Sequence, residues 1–267
     1  MPLMAGVYTN KKKDGSISYR ASITFQNKHI SLGSYSSEIE AHTAYCEAQK
    51  LLYSDEITFD PFQHENFTFF ISVLSFSKCI ILYNFKTTGL YFKTPILLTD
   101  NYFLYFLTEE IILKFDVDDL FYYSTHTISK RGGHLFVSDY GMQVNILSRY
   151  GIKNFAVPGR DYRFINGDCH DFRYKNIEVI NKYYGVQKIL KNGQYVYDAL
   201  IHINGNYKIG TYKTEIEAAV AYNKAVNILK EKGIQKNYLT NYLIELDEIS
   251  YAALYHKIRI SKNIRNL

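Results

Sequence analysis

Side chains alternate along residues 20–26: Arg20, Ser22, Thr24 and Gln26 can hydrogen-bond, whereas Ala21, Ile23 and Phe25 are small or apolar. This period of two predicts a strand with one buried and one open face. Further on the period lengthens. Ala41, Ala44, Tyr45 and Ala48 recur at helical spacing, behind Ser36 or Ser37 where an N-cap belongs and acidic residues in the first turn. Ala218, Ala221, Tyr222 and Ala225 form the same stripe behind Thr214. Asp14-Gly15, Asn192-Gly193 and Asn204-Gly205 are hairpin signals. Each stretch therefore predicts three antiparallel strands followed by a helix, whose alanines let it lie close on the sheet.

The two stretches are copies of one module. Gly6-Val7 matches Gly185-Val186, Ala21-x-Ile23 matches Ala199-x-Ile201, Gly33-x-Tyr35 matches Gly210-x-Tyr212, and Glu38-Ile39-Glu40-Ala41 matches Glu215-Ile216-Glu217-Ala218, in the same order. Two similar surfaces on one chain suit an extended or pseudo-symmetric partner.

Outside the copies the pattern is less regular. The apolar stretch from Phe67 to Leu82 is broken by Ser72, Ser75, Ser77 and Lys78, too short and polar to span a bilayer, and predicts buried structure. Residues 60–114 read as short strands, with a helix as a further candidate around Asn101 to Lys114. Asn237 to Asn263 suits one long helix, with Leu239, Leu243, Leu246 and Ile249 as its stripe and Lys257, Arg259, Lys262 and Arg265 at its end, where cations suit the helix dipole. The expected organisation is a first module over 1–56, an aromatic-rich connection over 57–114, a central domain over 115–182, a second module over 183–234 and a C-terminal helix over 235–267. The fold class is α+β.

The 267 residues carry a net charge of +5, mildly basic, which permits a nucleic-acid partner without establishing one. Three unpaired-looking cysteines (Cys46, Cys79, Cys169) and no secretory signal point to a reducing, cytoplasmic setting with no membrane attachment. The open face of the first module would present Tyr8, Asn10, Arg20, Ser22, Thr24, His29 and Ser31, with Lys11, Lys12 and Lys13 at its first turn. A twisted antiparallel sheet bearing such side chains can enter a major groove, Arg and polar groups reaching base edges while Lys neutralises phosphate. The corresponding candidates in the second module are Gln187, Lys188, Lys191, His202 and Lys208. Asp198 and Leu200 stand where the first copy has Arg20 and Ser22, so the two copies are not equal readers.

The order G-V, x-A-x-I, L-G-x-Y, E-x-E-A-x-x-A-Y closely resembles the apetala-two/ethylene-response-factor (ERF) DNA-binding domain, over roughly 5–54 and 183–232. The resemblance implies a three-stranded sheet that reads the major groove of double-stranded DNA with a helix packed behind it. The strands lack that family's Trp and Arg richness, offering Tyr19, Arg20, Tyr195 and Tyr197 instead, so no particular target sequence follows. Between the copies, Asp161 to Asn181 resembles the HNH nuclease pattern of homing-type endonucleases, D-H-I-N-G-D followed by D-N-R-x-x-N-L. Ile165, Asn166, Gly167, Asp168, Asp171, Arg173 and Asn176 keep that frame. Arg163 and Phe164 occupy the places of its metal-binding Asp and base His, Phe172 that of its middle Asn, and Ser148 that of the His in the upstream His-Arg pair, leaving Arg149. HNH chemistry needs a base to activate water and a carboxylate or amide set for one divalent ion. The resemblance thus implies a core without catalysis, metal or cofactor, whose Arg149, Arg163 and Arg173 contact DNA. His126, His134, Asp168, His170 and Asp171 are the residues from which a relocated nicking site would be built, and Asp116, Asp118 and Asp119 read as a solvated turn. An interaction protein with aromatic sheet faces is the third class.

Overall fold

A computed structural model describes residues 3–11, 13, 15–61, 71–234 and 236–266. Asp14, Lys12 and residues 67–70 of the apolar stretch lie outside the described residues. The fold is α+β and divides into two compact units, residues 1–144 with 168–176 and residues 145–167 with 177–267. The divisions fall inside 115–182, so that stretch contributes to both units.

The first unit opens with β1 (Val7–Lys11), β2 (Ile17–Phe25) and β3 (Lys28–Tyr35), an antiparallel sheet in that order, followed by α1 (Glu38–Tyr53). Between β2 and β3, Gln26 and Asn27 both take positive φ (44° and 62°), the two-residue turn whose twist matches that of the strands. Ala21 pairs with Gly33 and Ser22 with Ser31, leaving Leu32 as a bulge that points into the core at 2 % exposure. Ser37 caps α1 and Glu40 returns the bond to the cap backbone, a capping box worth about 1 kcal/mol. Ala41, Ala44 and Ala48 are fully buried against Ala21, Ile23, Ile30 and Leu32.

The connection holds a helix and a sheet. Phe76–Thr88 forms α2, stopped by Gly89 in the left-handed region (φ 72°). β4 (Ile96–Leu98), β5 (Tyr102–Phe106) and β6 (Ile112–Asp116) pair antiparallel in that order. The helix considered for 101–114 is thus a hairpin: Phe103 to Phe106 are all buried, and strand pairing satisfies the backbone of a segment covered on both faces. The buried carboxylate of Glu47 on α1 accepts from Ser72 N (2.6 Å), Ser72 Oγ (2.8 Å), Val73 N (3.2 Å) and Leu74 N (2.7 Å), fixing the approach to α2. α3 (Leu120–Thr125) and a sheet of β7 (Ile128–Arg131), β8 (His134–Asp139) and β9 (Met142–Asn145) follow. The expected solvated turn holds for Asp118, which is exposed, but Asp119 is 1 % exposed and accepts from the Tyr174 hydroxyl at 3.4 Å, and the half-buried Asp116 accepts from Tyr174 N (2.6 Å).

The second unit contains a short antiparallel pair, β10 (Tyr162–Phe164) and β11 (Ile177–Val179), then the second module: β12 (Val186–Lys191), β13 (Gln194–His202), β14 (Asn206–Tyr212) and α4 (Glu215–Glu231). Asn192 and Gly193 (φ 50° and 77°) make the expected two-residue turn, while Ile203–Gly205 is a three-residue loop. The bulge recurs, with Ile209 as the unpaired, buried residue, and Thr214 and Glu217 repeat the capping box. The long C-terminal helix does not form. α5 (Glu248–Lys257) starts only at the Asp247 cap, and α6 (Lys262–Arg265) is one turn. The backbone of Asn241 is engaged elsewhere: its N–H donates to Asn223 Oδ1 (2.8 Å) and its carbonyl accepts from Asn223 Nδ2 (2.9 Å). Of the proposed stripe, Leu243 is buried, but Leu239 (54 %) and Ile249 (83 %) are exposed. No helix among the described residues is long and apolar enough to cross a membrane.

Candidate nucleic-acid interface

Cross-strand partners share a face, so the pairing fixes what the first sheet turns away from α1. Its rows are Tyr8–Arg20–Ser34, Asn10–Ser18, Ser22–Ser31 and Thr24–His29. Tyr8, Arg20, Thr24, His29 and Ser31 are exposed; Asn10 is half-buried, and Thr24 Oγ1 lies 3.4 Å from His29 Nδ1. Ser22 departs from the expected open position. It is 8 % exposed and its Oγ has no partner among the described residues, because a short side chain on the middle strand sits below its longer neighbours. Lys11 and Lys13 are exposed at the first turn. Arg20 is the charged side chain within these rows, and it is basic.

The second sheet carries a different face. Gln187, Asp198 and Thr211 form one row, Leu200 and Lys208 another, His202 and Asn206 a third. Asp198 is held by Lys208 Nζ on one oxygen (2.6 Å) and by Thr211 Oγ1 on the other (2.6 Å), which occupies the Lys208 ammonium. His202 Nδ1 lies 3.0 Å from Asn206 Oδ1. Lys191 is exposed beside the tight turn. Lys188, adjacent to Gln187 on one strand, faces the other way, paired with Tyr197 and with its ammonium 4.4 Å from the Tyr195 ring centre.

Of the residues read as a retained frame, Asp168, Asp171, Arg173 and Asn176 serve the fold, while Ile165, Asn166 and Gly167 are exposed. Arg173 grips the buried Asp171 through Nε (2.8 Å) and Nη2 (2.6 Å), and Asn176 donates to the Asp171 carbonyl (2.8 Å). Asp168 accepts from the His170 N–H (3.0 Å) and from Lys114 Nζ (3.1 Å). Burial would raise its pKa, but these two donors outweigh burial and hold the carboxyl below its ordinary value. Phe172 stacks on Phe115 at 5.5 Å in an aromatic core with Phe103 and Tyr123. Arg163 pairs with Glu178 (2.6 Å) on exposed strands, and Arg149 is exposed on the short helix Ile146–Tyr150. His126 stacks on Tyr122 (4.2 Å) and faces Asp139 (3.6 Å). Among the described residues, no three His, Cys, Asp or Glu side chains converge as a metal would need.

Sequence reasoning missed a cleft of about 710 Å³ within the second unit, lined by residues from Lys153 to Tyr238. The Lys153 ammonium lies 3.9 Å from the Tyr184 ring centre and 3.2 Å from Asn241 Oδ1. Burial pushes this ammonium down to about 7, against the pull of Glu215 and Asp161. Asp161 is neutralised by Arg160 (2.6 Å) and accepts from Asn181 Nδ2 (2.9 Å) and Val157 N (2.7 Å). Lys236 Nζ and the Tyr238 hydroxyl both donate to the His202 carbonyl (3.1 and 3.0 Å). The open-face residues Gln187, Leu200, His202 and Asn206 also line it, so the cleft is continuous with the second sheet.

Comparison of the chain with protein-family models, with curated proteins and with solved structures gives no significant match to any of them.

Proposed function

We propose that this chain binds double-stranded DNA through the open faces of its two small sheets, as a sequence-preferring regulator or accessory factor without nuclease activity. The observation that carries the reading is the first sheet face. Its hydrogen-bonding side chains surround Arg20, and its turn supplies Lys11 and Lys13. Such a face meets both requirements of groove recognition, cations for phosphate and donors and acceptors for base edges. The resemblance of the repeated motif to ERF-like domains adds to this reading. The HNH-like centre supports a scaffolding role in the same way: Phe172 lies in the aromatic core, and Arg163 brings a cation where a metal carboxylate would be needed.

The test is equilibrium binding to random duplex DNA over a range of salt. Changing Lys11 and Lys13 to Ala is expected to lower the salt slope by about 0.9 for each phosphate that is no longer neutralised, equally for all sequences. Arg20→Ala is expected to relax discrimination at one base pair by about 1–3 kcal/mol. An unaltered slope in the Lys11/Lys13 variant removes the first sheet from the interface.

A further inference from the structure

Phe155 is 98 % exposed and holds φ at 69°, a backbone region that costs a bulky residue roughly 1–2 kcal/mol. It is nevertheless firmly presented. Ala156 N closes a turn onto the Lys153 carbonyl (3.1 Å), and Asp161 clamps the same loop through the Val157 N–H (2.7 Å). A bare aromatic ring set on a strained, pinned loop is a feature in search of a function. It stands on the wall of the cleft that also holds Lys153.

The cleft's chemistry narrows its ligand. Its volume of about 710 Å³ lies in the range of small-ligand sites. Lys236 brings positive charge and Lys153, an ammonium that burial leaves only partly charged at neutral pH, a second donor, while the lining carboxylate of Asp161 is already neutralised by Arg160. An anion beside Lys153 would favour its charged form and draw the site together. The ligand is therefore anionic and carries a flat ring for Phe155 to stack on. Continuity with Gln187 and His202 places the cleft beside any strand lying on the second sheet.

We propose that the cleft takes one unpaired nucleotide of a bound DNA strand, its base stacked on Phe155 and its phosphate set against Lys153. The proposal rests on the DNA-binding reading of the sheet faces and adds a preference for a gapped or distorted duplex.

The experiment compares three labelled probes with the full chain at fixed salt: a perfect duplex, the same duplex with one central unpaired thymidine, and a five-nucleotide thymidylate single strand. The bulged duplex is expected to bind about tenfold more tightly than the perfect one, the size of a single base–aromatic stack. Phe155→Ala is expected to bring the two within about twofold; being fully exposed, this ring can be removed without unfolding the chain. Lys153→Gln, as a second variant, is expected to shrink the same ratio. Equal binding of both duplexes, with no binding of the single strand, overturns the cleft proposal and leaves the sheet reading standing. Binding of the single strand alone, abolished in Phe155→Ala, keeps the cleft and overturns the sheet reading. A tenfold preference that survives both variants places the unpaired nucleotide elsewhere and sinks the proposal, as does binding of none of the three probes.

Discussion

Asp198 is the residue whose removal is expected to strengthen binding. It occupies the position that Arg20 holds in the first copy, and its carboxylate takes the Lys208 ammonium at 2.6 Å and the Thr211 hydroxyl at 2.6 Å. Asp198→Asn keeps an oxygen for Thr211, removes the negative charge and releases Lys208, half of whose side chain is already exposed. Losing a partly exposed ion pair costs at most about 1 kcal/mol of stability, so the module stays folded. Neutralising one additional phosphate raises the salt slope by about 0.9, which steepens the affinity change between 50 and 200 mM salt by roughly 3.5-fold. Lys208→Ala alone should weaken binding, since it leaves the carboxylate on the face. Added to Asp198→Asn, it should cancel the gain. Fluorescence anisotropy across a salt series measures all four combinations. If Asp198→Asn leaves the slope unchanged, the second sheet does not face phosphate and the two-face reading fails.

Three further outcomes are expected. Gly185→Ala should destabilise more than Gly6→Ala, by about 3–5 against 2–4 kcal/mol in urea unfolding: both glycines hold positive φ, but a Cβ at 185 meets the Leu200 carbonyl at 2.4 Å as well as the Tyr222 ring, whereas the three nearest atoms at 6 all belong to the Tyr45 ring. Combining each with Tyr→Ala at 222 or 45 should therefore rescue the first copy better than the second, and equal rescue would refute the backbone argument. Glu47→Ala should cost about 2–4 kcal/mol, because three backbone N–H groups and the Ser72 hydroxyl lose their acceptor; a change below about 0.5 kcal/mol would show that water replaces it. Supercoiled plasmid should stay intact with Mg, Mn or Ni, and nicking abolished by Asp168→Ala or His170→Ala would establish a relocated nuclease site instead.

The modules were legible because their landmarks are scaffold. Gly6 faces Tyr45 and Gly185 faces Tyr222, Glu40 and Glu217 complete the capping boxes, and the glycines at 33 and 210 sit at the bulges. Each needs a particular residue type at a fixed separation, and that is what a sequence displays. α2 was missed because Cys79 to Leu82 are all buried, so its apolar residues form a block with no helical period; the Gly89 stop was the available signal. The C-terminal stripe misled because helical spacing alone ignores Asn223, eighteen residues upstream of Asn241, which competes for the backbone there. The cleft left no local trace. Lys153, Asp161, Tyr184 and Lys236 converge only after folding, and the left-handed φ of Phe155 is invisible in its letter. Ser22 shows the same limit on a smaller scale, where parity along a strand gives direction but not depth, whereas Lys188 was legible from parity itself, since it and Gln187 are neighbours on one strand and face opposite ways.

Residues 168–176 belong to the first unit, while both their flanks belong to the second. Within the first unit, the Lys114 backbone exchanges hydrogen bonds with His170 (2.9 Å) and Phe172 (2.8 Å), and Phe115 stacks on Phe172. The chain is therefore stitched, and no single peptide-bond cut yields two whole halves. A break near residue 144 would strip the first unit of an aromatic layer, and a fragment ending there would expose Phe115. Neither module is a free cassette: the stretch from β1 to α1 carries the Glu47 acceptor for residues 72–74, and that from β12 to α4 carries the Asn223 partner of Asn241, so an exchange must bring those contacts with it.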